Sequence, residues 1–181
     1  VDAPIVTRAI CRFRAVVAAT WRDRRVFLAG DAAHLMPPFA GQGLGAGLRD
    51  VSNLSFKIAG VCQGWLAPAV LDSYEQERRP HLERMTRLAC HLGRLMSPRS
   101  LTEAALVPAA LRMVGASPAL CGRWLLRGPS IQQTFTSGFM VPSEGAGRYL
   151  PQPIVIASDN RRVALDELLG PRMTWIVLSG R

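Results

Sequence analysis

Gly30-Asp31-Ala32-Ala33-His34-Leu35-Met36-Pro37-Pro38-Phe39-Ala40-Gly41-Gln42-Gly43-Leu44-Gly45 is the stretch whose reading decides the fold of this chain. It joins the short apolar run Val26-Phe27-Leu28-Ala29 to an amphipathic segment through an acid, paired prolines and glycines. Pro37 and Pro38 stiffen the loop and remove two donors, so its carbonyls are not consumed by self-pairing. Gly41, Gly43, Gly45 and Gly47 permit tight turns and close approach of a ligand to the main chain. From Leu44 onward, Leu44, Leu48, Val51, Leu54, Ile58 and Val61 recur at helical spacing, with Arg49, Asp50, Asn53 and Lys57 largely on other faces. Gly60 and Gly64 are the stop signals. The start of that helix directs free N–H groups and the positive end of its dipole into the loop. Such a loop suits a flat ligand with polar edges.

Upstream, residues 5–19 are rich in β-branched and apolar types and read as a strand. Trp21-Arg22-Asp23-Arg24 reads as a turn into a second strand at 25–29. Downstream, Leu71 to Arg79 reads as a helix that Pro80 ends or kinks. Leu82, Met85, Leu88, Ala89, Leu92 and Leu95 predict a longer helix stopped near Ser97-Pro98. Ser100-Leu101-Thr102-Glu103 has the capping-box spacing and opens another, which Pro108 interrupts. Residues 128–153 are rich in Gly, Pro, Ser and Thr and read as a linker. Ile154-Val155-Ile156, then Val163 to Gly170, then Trp175-Ile176-Val177-Leu178 read as strand, short helix and strand, the start of a second α/β unit. The fold class expected is α/β, or α+β for the chain as it stands. Both ends read as truncated.

Composition removes several functions. The 181-residue chain is 49% hydrophobic, enough for one core or a small core plus part of another. No run approaches the roughly 20 apolar residues that span a bilayer, and no leader pattern is visible, so the expected compartment is the cytoplasm. The net charge of +9 comes from 22 basic residues, of which only Lys57 is a lysine. They fall in scattered pairs and triplets such as Arg22, Arg24 and Arg25, without a basic stripe or an RNA-binding aromatic motif, so no nucleic-acid partner is expected. Cys11, Cys62, Cys90 and Cys121 lie far apart and read as buried free thiols. With His34, His81 and His91 equally scattered, no metal site is expected.

Asp31 lies just past the carboxyl end of a predicted strand, where open α/β sheets place ligand contacts. Its carboxylate can accept hydrogen bonds from sugar or polyol hydroxyls, or it can serve as a local turn cap. The helix start suits a phosphate, and equally the carbonyl edge of a flavin ring. Gly41-Gln42-Gly43-Leu44-Gly45-Ala46 fits the dinucleotide fingerprint, but more than ten residues separate it from Ala29 and no acid lies near position 61. A nicotinamide Rossmann site is therefore rejected.

Arg25 to His34, followed by Pro37-Pro38 and Gly41-Gln42-Gly43, closely resembles the second FAD-binding motif of the class A flavoprotein aromatic hydroxylases. Gly47-Leu48-Arg49-Asp50-Val51-Ser52-Asn53-Leu54 and Leu71-Asp72-Ser73-Tyr74-Glu75-Gln76-Glu77-Arg78-Arg79-Pro80 extend the likeness. Within the family, His34 to Gly43 looks most like the 3-(3-hydroxyphenyl)propionate hydroxylases. Gly147 to Pro153 resembles the entry to the thioredoxin-like C-terminal domain that many members carry.

The resemblance implies that residues 1–24 end a substrate-binding sheet and that 25–127 are the C-terminal part of an FAD-binding domain with a helical segment. It makes 128–153 a linker and 154–181 the start of a truncated thioredoxin-like domain. It implies FAD as cofactor, with Asp31 on the ribityl hydroxyls, the Pro38 region facing the isoalloxazine, and the Leu44 and Gly45 N–H groups on the pyrimidine carbonyl. Gly41, Gln42 and Gly43 complete the cofactor-binding set. The reaction implied is reduction of FAD by NAD(P)H, oxygen capture as a C4a-hydroperoxide, and hydroxylation of a phenolic acid in aromatic catabolism. The partners are then a small phenolic substrate and O2, and a homodimer is compatible with the sequence.

Two departures from the family pattern stand out. Gly45 replaces a bulkier residue of relatives, and the N-terminal G-x-G-x-x-G unit and middle Asp-Gly motif are absent. The chain alone is therefore expected to be inactive, the alternative being a non-catalytic helical interaction remnant. No catalytic side chain is assigned. His34 reads as structural inside this motif, and Arg8, Arg12 and Arg14 are candidates to meet a substrate carboxylate.

Overall fold

The computed structural model describes residues 10–98, 100–119, 133–170, 174 and 176. The chain divides into two units, one ending at Gly147 and one starting at Arg148. In the first, four two-residue strands form two small antiparallel ladders: β1 (Val16–Val17) with β4 (His34–Leu35), and β2 (Arg22–Asp23) with β3 (Val26–Phe27). The helices α1 (Gly43–Cys62), α2 (Ser73–Met96) and α3 (Leu101–Ala116) follow.

The strand expected over residues 5–19 shrinks to β1 among the described residues. Its partner β4 ends at Leu35, before Pro37 and Pro38, which have no N–H to continue a ladder. The expected turn at 21–24 lies later: Arg22 and Asp23 pair with Phe27 and Val26, so Arg24 and Arg25 make the bend, with Arg24 at φ 52°. Trp21, read as the first residue of that turn, is fully buried in the core. Its ring packs on His34 and Tyr74, both 5.6 Å away between centroids. Ala33, Ala46, Leu54 and Leu82 complete this cluster.

Pro80 does not end a helix. A 3-10 turn at Pro68–Asp72 leads into α2, which runs unbroken through Pro80. Proline removes the donor that would have reached the Gln76 carbonyl, and the Ser137 hydroxyl approaches that carbonyl at 3.5 Å instead. α3 likewise continues through Pro108. It opens as the capping-box spacing predicts, with the Glu103 N–H donating to Ser100 Oγ at 3.1 Å.

Only part of the apolar stripe of α1 reaches the core, where Leu54 is buried. Asp50, Asn53 and Lys57 are buried, whereas Leu44, Leu48 and Val51 are 80%, 63% and 56% exposed. The cause is the partner: α2 presents Glu77 and Arg78 to α1, so the helix–helix seam is polar and ion-paired. α2 is also tied back to the chain entering β2. Glu75 accepts from the Trp21 N–H (2.9 Å), and Arg79 donates to the Ala18 and Ala19 carbonyls (both 2.7 Å).

The irregular segment from Gln133 to Gly147 docks on α2 through Gln133 and Phe139. In the second unit, β5 (Ile154–Ile156) pairs antiparallel with β6 (Arg162–Ala164), followed by the short α4 (Leu165–Leu169). The helix expected from Val163 starts two residues later because Val163 is consumed by the ladder, opposite Val155. The strand expected at 175–178 lies outside the described residues apart from Ile176. Among the described residues no helix is long and apolar enough to cross a membrane.

Candidate functional site

Between the segment entering β1, the loop after β3 and the first turns of α1 lies an open cleft of about 960 Å³. After β3 the chain makes a 3-10 turn at Gly30–Ala32, crosses β4, and makes a second at Pro38–Ala40 before α1 begins. Gly30 starts the first turn at φ 57°, and a Cβ on Gly47 would meet its Cα at 3.4 Å. Glycine at both positions lets the turn rest against the first turns of α1. Gly41 closes the second turn at φ 61°. The loop therefore returns the backbone sharply onto the helix start.

Asp31, Pro38, Gly41, Gly43 and Leu44 all line this cleft. Gln42 and Gly45 do not: Gln42 is the residue capping α1, and Gly45 lies under the Arg49 side chain. The first i→i−4 bond of α1 runs from the Ala46 N–H to the Gln42 carbonyl at 2.8 Å. The N–H groups of Gly43, Leu44 and Gly45 precede it and so have no helical acceptor. No side chain caps them, and the first turn carries no acid. This leaves the positive end of a 20-residue helix available to an electron-rich ligand edge. Asp31 is exposed at the cleft wall.

Beneath the loop is a buried network that the sequence pattern did not reveal. Asp50 Oδ2 accepts from the Gly30 N–H (3.1 Å) and from His34 Nε2 (2.6 Å), and Oδ1 accepts from Arg78 Nε (2.8 Å). Asp50 and Arg78 have no exposed surface. Burial alone would raise the Asp50 carboxyl, but the hydrogen bonds from His34 and Arg78, the Arg78 charge and the Gly30 N–H hold it below the ordinary carboxylate value. Arg78 also reaches Gln133 Oε1 (2.5 Å) and the Ala46 carbonyl (3.3 Å). His34, read as structural inside its motif, is buried in this network and does not line the cleft. Its partner spacing of 16 residues is not a helical or strand repeat, so no periodicity could have found the pair.

One turn further along α1, Glu77 accepts from Lys57 and Asn53, both at 2.6 Å, and from the Phe139 N–H at 2.7 Å. Glu77 is also held below the ordinary carboxylate value, since these donors outweigh the desolvation that would raise it. Neither cluster lines the cleft, and the Asp50 cluster reaches its wall through the Gly30 N–H.

Arg12 and Arg14 line the cleft with Phe13, whereas Arg8 lies outside the described residues. The thiols depart from expectation: Cys11 and Cys62 are exposed and Cys90 is half-buried, all free, and Cys121 lies outside the described residues. No group of three metal-ligating side chains occurs among the described residues.

Donors at a helix start, a neighbouring carboxylate and glycine-lined backbone in one cleft fit a flat ring bearing carbonyls joined to a polyol. The chain also matches known proteins. A family described as an FAD binding domain matches residues 1–89. The 3-(3-hydroxy-phenyl)propionate/3-hydroxycinnamic acid hydroxylase of Burkholderia cenocepacia (strain HI2424) is 42% identical over 166 residues, 91% of this chain and 30% of that protein. The like-named enzyme of Mycobacterium sp. (strain JLS) is 39% identical over 161 residues, 85% of this chain and 28% of that protein.

Among solved structures, CabE, an aromatic hydroxylase from angucycline biosynthesis, is 29% identical with a TM-score of 0.63, covering 86% of this chain and 31% of its own. OxyS, the anhydrotetracycline hydroxylase from Streptomyces rimosus, is 28% identical with a TM-score of 0.63, covering 82% and 29%. The chain spans about 30% of the length of the curated relatives it matches.

Proposed function

Because the chain belongs to the FAD-dependent aromatic hydroxylases, we propose that it builds the ribityl and isoalloxazine half of a flavin site in a protein of its relatives' length. We propose further that this protein hydroxylates a phenolic aromatic acid, using NAD(P)H and O2. The observation that carries the reading is that Asp31, Pro38, Gly41, Gly43 and Leu44 line one cleft, at a helix start whose first N–H groups have no helical acceptor. When bound, FAD supplies the redox and oxygen-transfer chemistry, and the protein supplies orientation and electrostatics.

Each role follows from a group in place. The Asp31 carboxylate accepts hydrogen bonds from the polyol chain. The N–H groups of Leu44 and Gly45 donate to the pyrimidine carbonyl edge, where the helix dipole favours negative charge as the ring is reduced. Pro38 lines the wall proposed to face the ring and offers no competing donor. Asp50 holds the Gly30 N–H, and with it the turn that carries Asp31. The second unit is proposed as the start of a thioredoxin-like domain, and the setting as the cytoplasm.

The test is flavin binding by the full-length protein. It should purify yellow or shift the FAD spectrum on addition, show aryl-stimulated NAD(P)H oxidation, and lose FAD affinity about tenfold in Asp31→Ala. Flavin-free protein that leaves the FAD spectrum unshifted overturns the reading. A non-catalytic interaction role rests on α3, which has no buried residue and exposes Leu101, Leu106, Leu111 and Met113. It predicts self-association by sedimentation without flavin.

A further inference from the structure

The cleft holds two cations that the proposed flavin contacts do not use. Arg12 and Arg14 lie on its wall, in the chain leading into β1. Their place along the wall is set by the neighbouring ladder. β1 pairs with β4 so that Val16 faces Leu35, and the same antiparallel direction brings Arg14, Phe13 and Arg12 toward Pro37, Pro38 and Phe39. The Phe13 ring meets Phe39 edge-on, with centroids 6.5 Å apart and planes at 71°, which anchors this stretch against the Pro38 turn. Both arginines are therefore beside the part of the loop proposed to face the flavin ring.

Their charge is uncompensated. Arg22 pairs with Asp72, Arg78 with Asp50, Arg79 with Glu75 and Arg161 with Asp159, but neither Arg12 nor Arg14 takes part in a hydrogen bond or ion pair among the described residues. Among the described residues Asp31 is the sole carboxylate of the cleft lining, and neither arginine is paired to it. The surfaces around them are apolar: Phe13, Leu35, Met36 and Pro38. Two exposed guanidinium groups that share a cleft lining with apolar side chains suit a ligand with one flat apolar body and one anionic end. The guanidinium fork matches a carboxylate with two parallel hydrogen bonds, which an ammonium cannot do.

We infer that Arg12 and Arg14 form a carboxylate clamp that orients an aryl carboxylate substrate in this cleft, its ring against Phe13, Met36 and Pro38. The inference rests on the flavin reading above and adds what that reading leaves open, the chain's own determinants for an acidic substrate. In this arrangement they are positioning residues: they hold the acid end, so that the ring is presented to the Pro38 side of the loop.

The test is equilibrium binding to the FAD-loaded full-length protein, measured by calorimetry and by perturbation of the flavin absorbance. The probes are 3-(3-hydroxyphenyl)propionate and its methyl ester, which share the ring but not the charge. For Arg12→Ala and Arg14→Ala the dissociation constant of the acid should rise about tenfold each, that of the ester should stay within about twofold, and Arg→Lys should restore part of the loss. Added salt should weaken the acid and not the ester. If acid and ester weaken equally in both variants, or if neither changes, the clamp is refuted while the flavin site stands. If wild-type protein takes up no FAD, the flavin reading fails and the clamp falls with it.

Discussion

Replacing Asp50 with alanine should destabilise the first unit more than any single surface change. Asp50 stands on α1 and accepts hydrogen bonds from the Gly30 turn, from His34 on β4 and from Arg78 on α2. Removing its carboxylate leaves the fully buried Arg78 guanidinium without its counter-charge, which costs about 3–5 kcal/mol. The Gly30 N–H and His34 Nε2 lose their acceptor in the same step, and each orphaned donor costs about 1–3 kcal/mol, though the terms overlap. An expected loss of about 4 kcal/mol is a large share of the 5–15 kcal/mol typical of a domain.

The companion variant Arg78→Leu should cost a similar amount, since it strands the buried carboxylate. The double variant removes both charges together, so its cost should fall short of the sum by about 1–3 kcal/mol. Urea unfolding followed by helical circular dichroism measures all three variants, and the buried Trp21 provides a fluorescence signal from the same core. The reasoning is refuted if Asp50→Ala unfolds within about 1 kcal/mol of wild type, or if the two single costs simply add.

Other perturbations probe separate parts of the structure. Gly93→Ala should destabilise by about 1–3 kcal/mol despite the better helix propensity of alanine, because its Cβ would lie 2.5 Å from the Phe39 ring. A raised melting temperature in that variant would contradict the packing described. Burial, reinforced by Arg78, Arg84 and Arg49, pushes the His81 imidazole down to about 4, against an ordinary 6.5. Between those values the unfolded chain binds a proton that the folded one refuses. Stability is then full above pH 6.5 and falls as pH drops toward 4, by about 3 kcal/mol. His81→Leu should flatten that part of a stability-versus-pH curve, and an unchanged slope would show that His81 is not its source. Ser100→Ala should cost α3 about 1 kcal/mol through loss of its cap, seen as faster amide exchange in its first turn.

What could be read from the sequence was local. The loop chemistry, the helix opening after Gly41 and the capping box depend on a few adjacent residues and on backbone rules that hold in any context. The sequence by itself therefore located the cleft-forming loop and five of the residues that line it.

Tertiary structure decided what faces what. The apolar spacing of α1 put Leu44, Leu48, Val51 and Leu54 at helical repeats, yet of these only Leu54 is buried, and α2 offers Glu77 and Arg78 to the buried Lys57 and Asp50. Pro80 read as an end or a kink, yet α2 runs through it, with the Ser137 hydroxyl at the freed carbonyl. Arg12 and Arg14 were candidates on an isolated strand until the β1–β4 register placed them beside the prolines. Periodicity shows which residues share a face, but only the partner determines whether that face is buried, because an ion pair between helices can offset the desolvation that hydrophobicity alone would forbid.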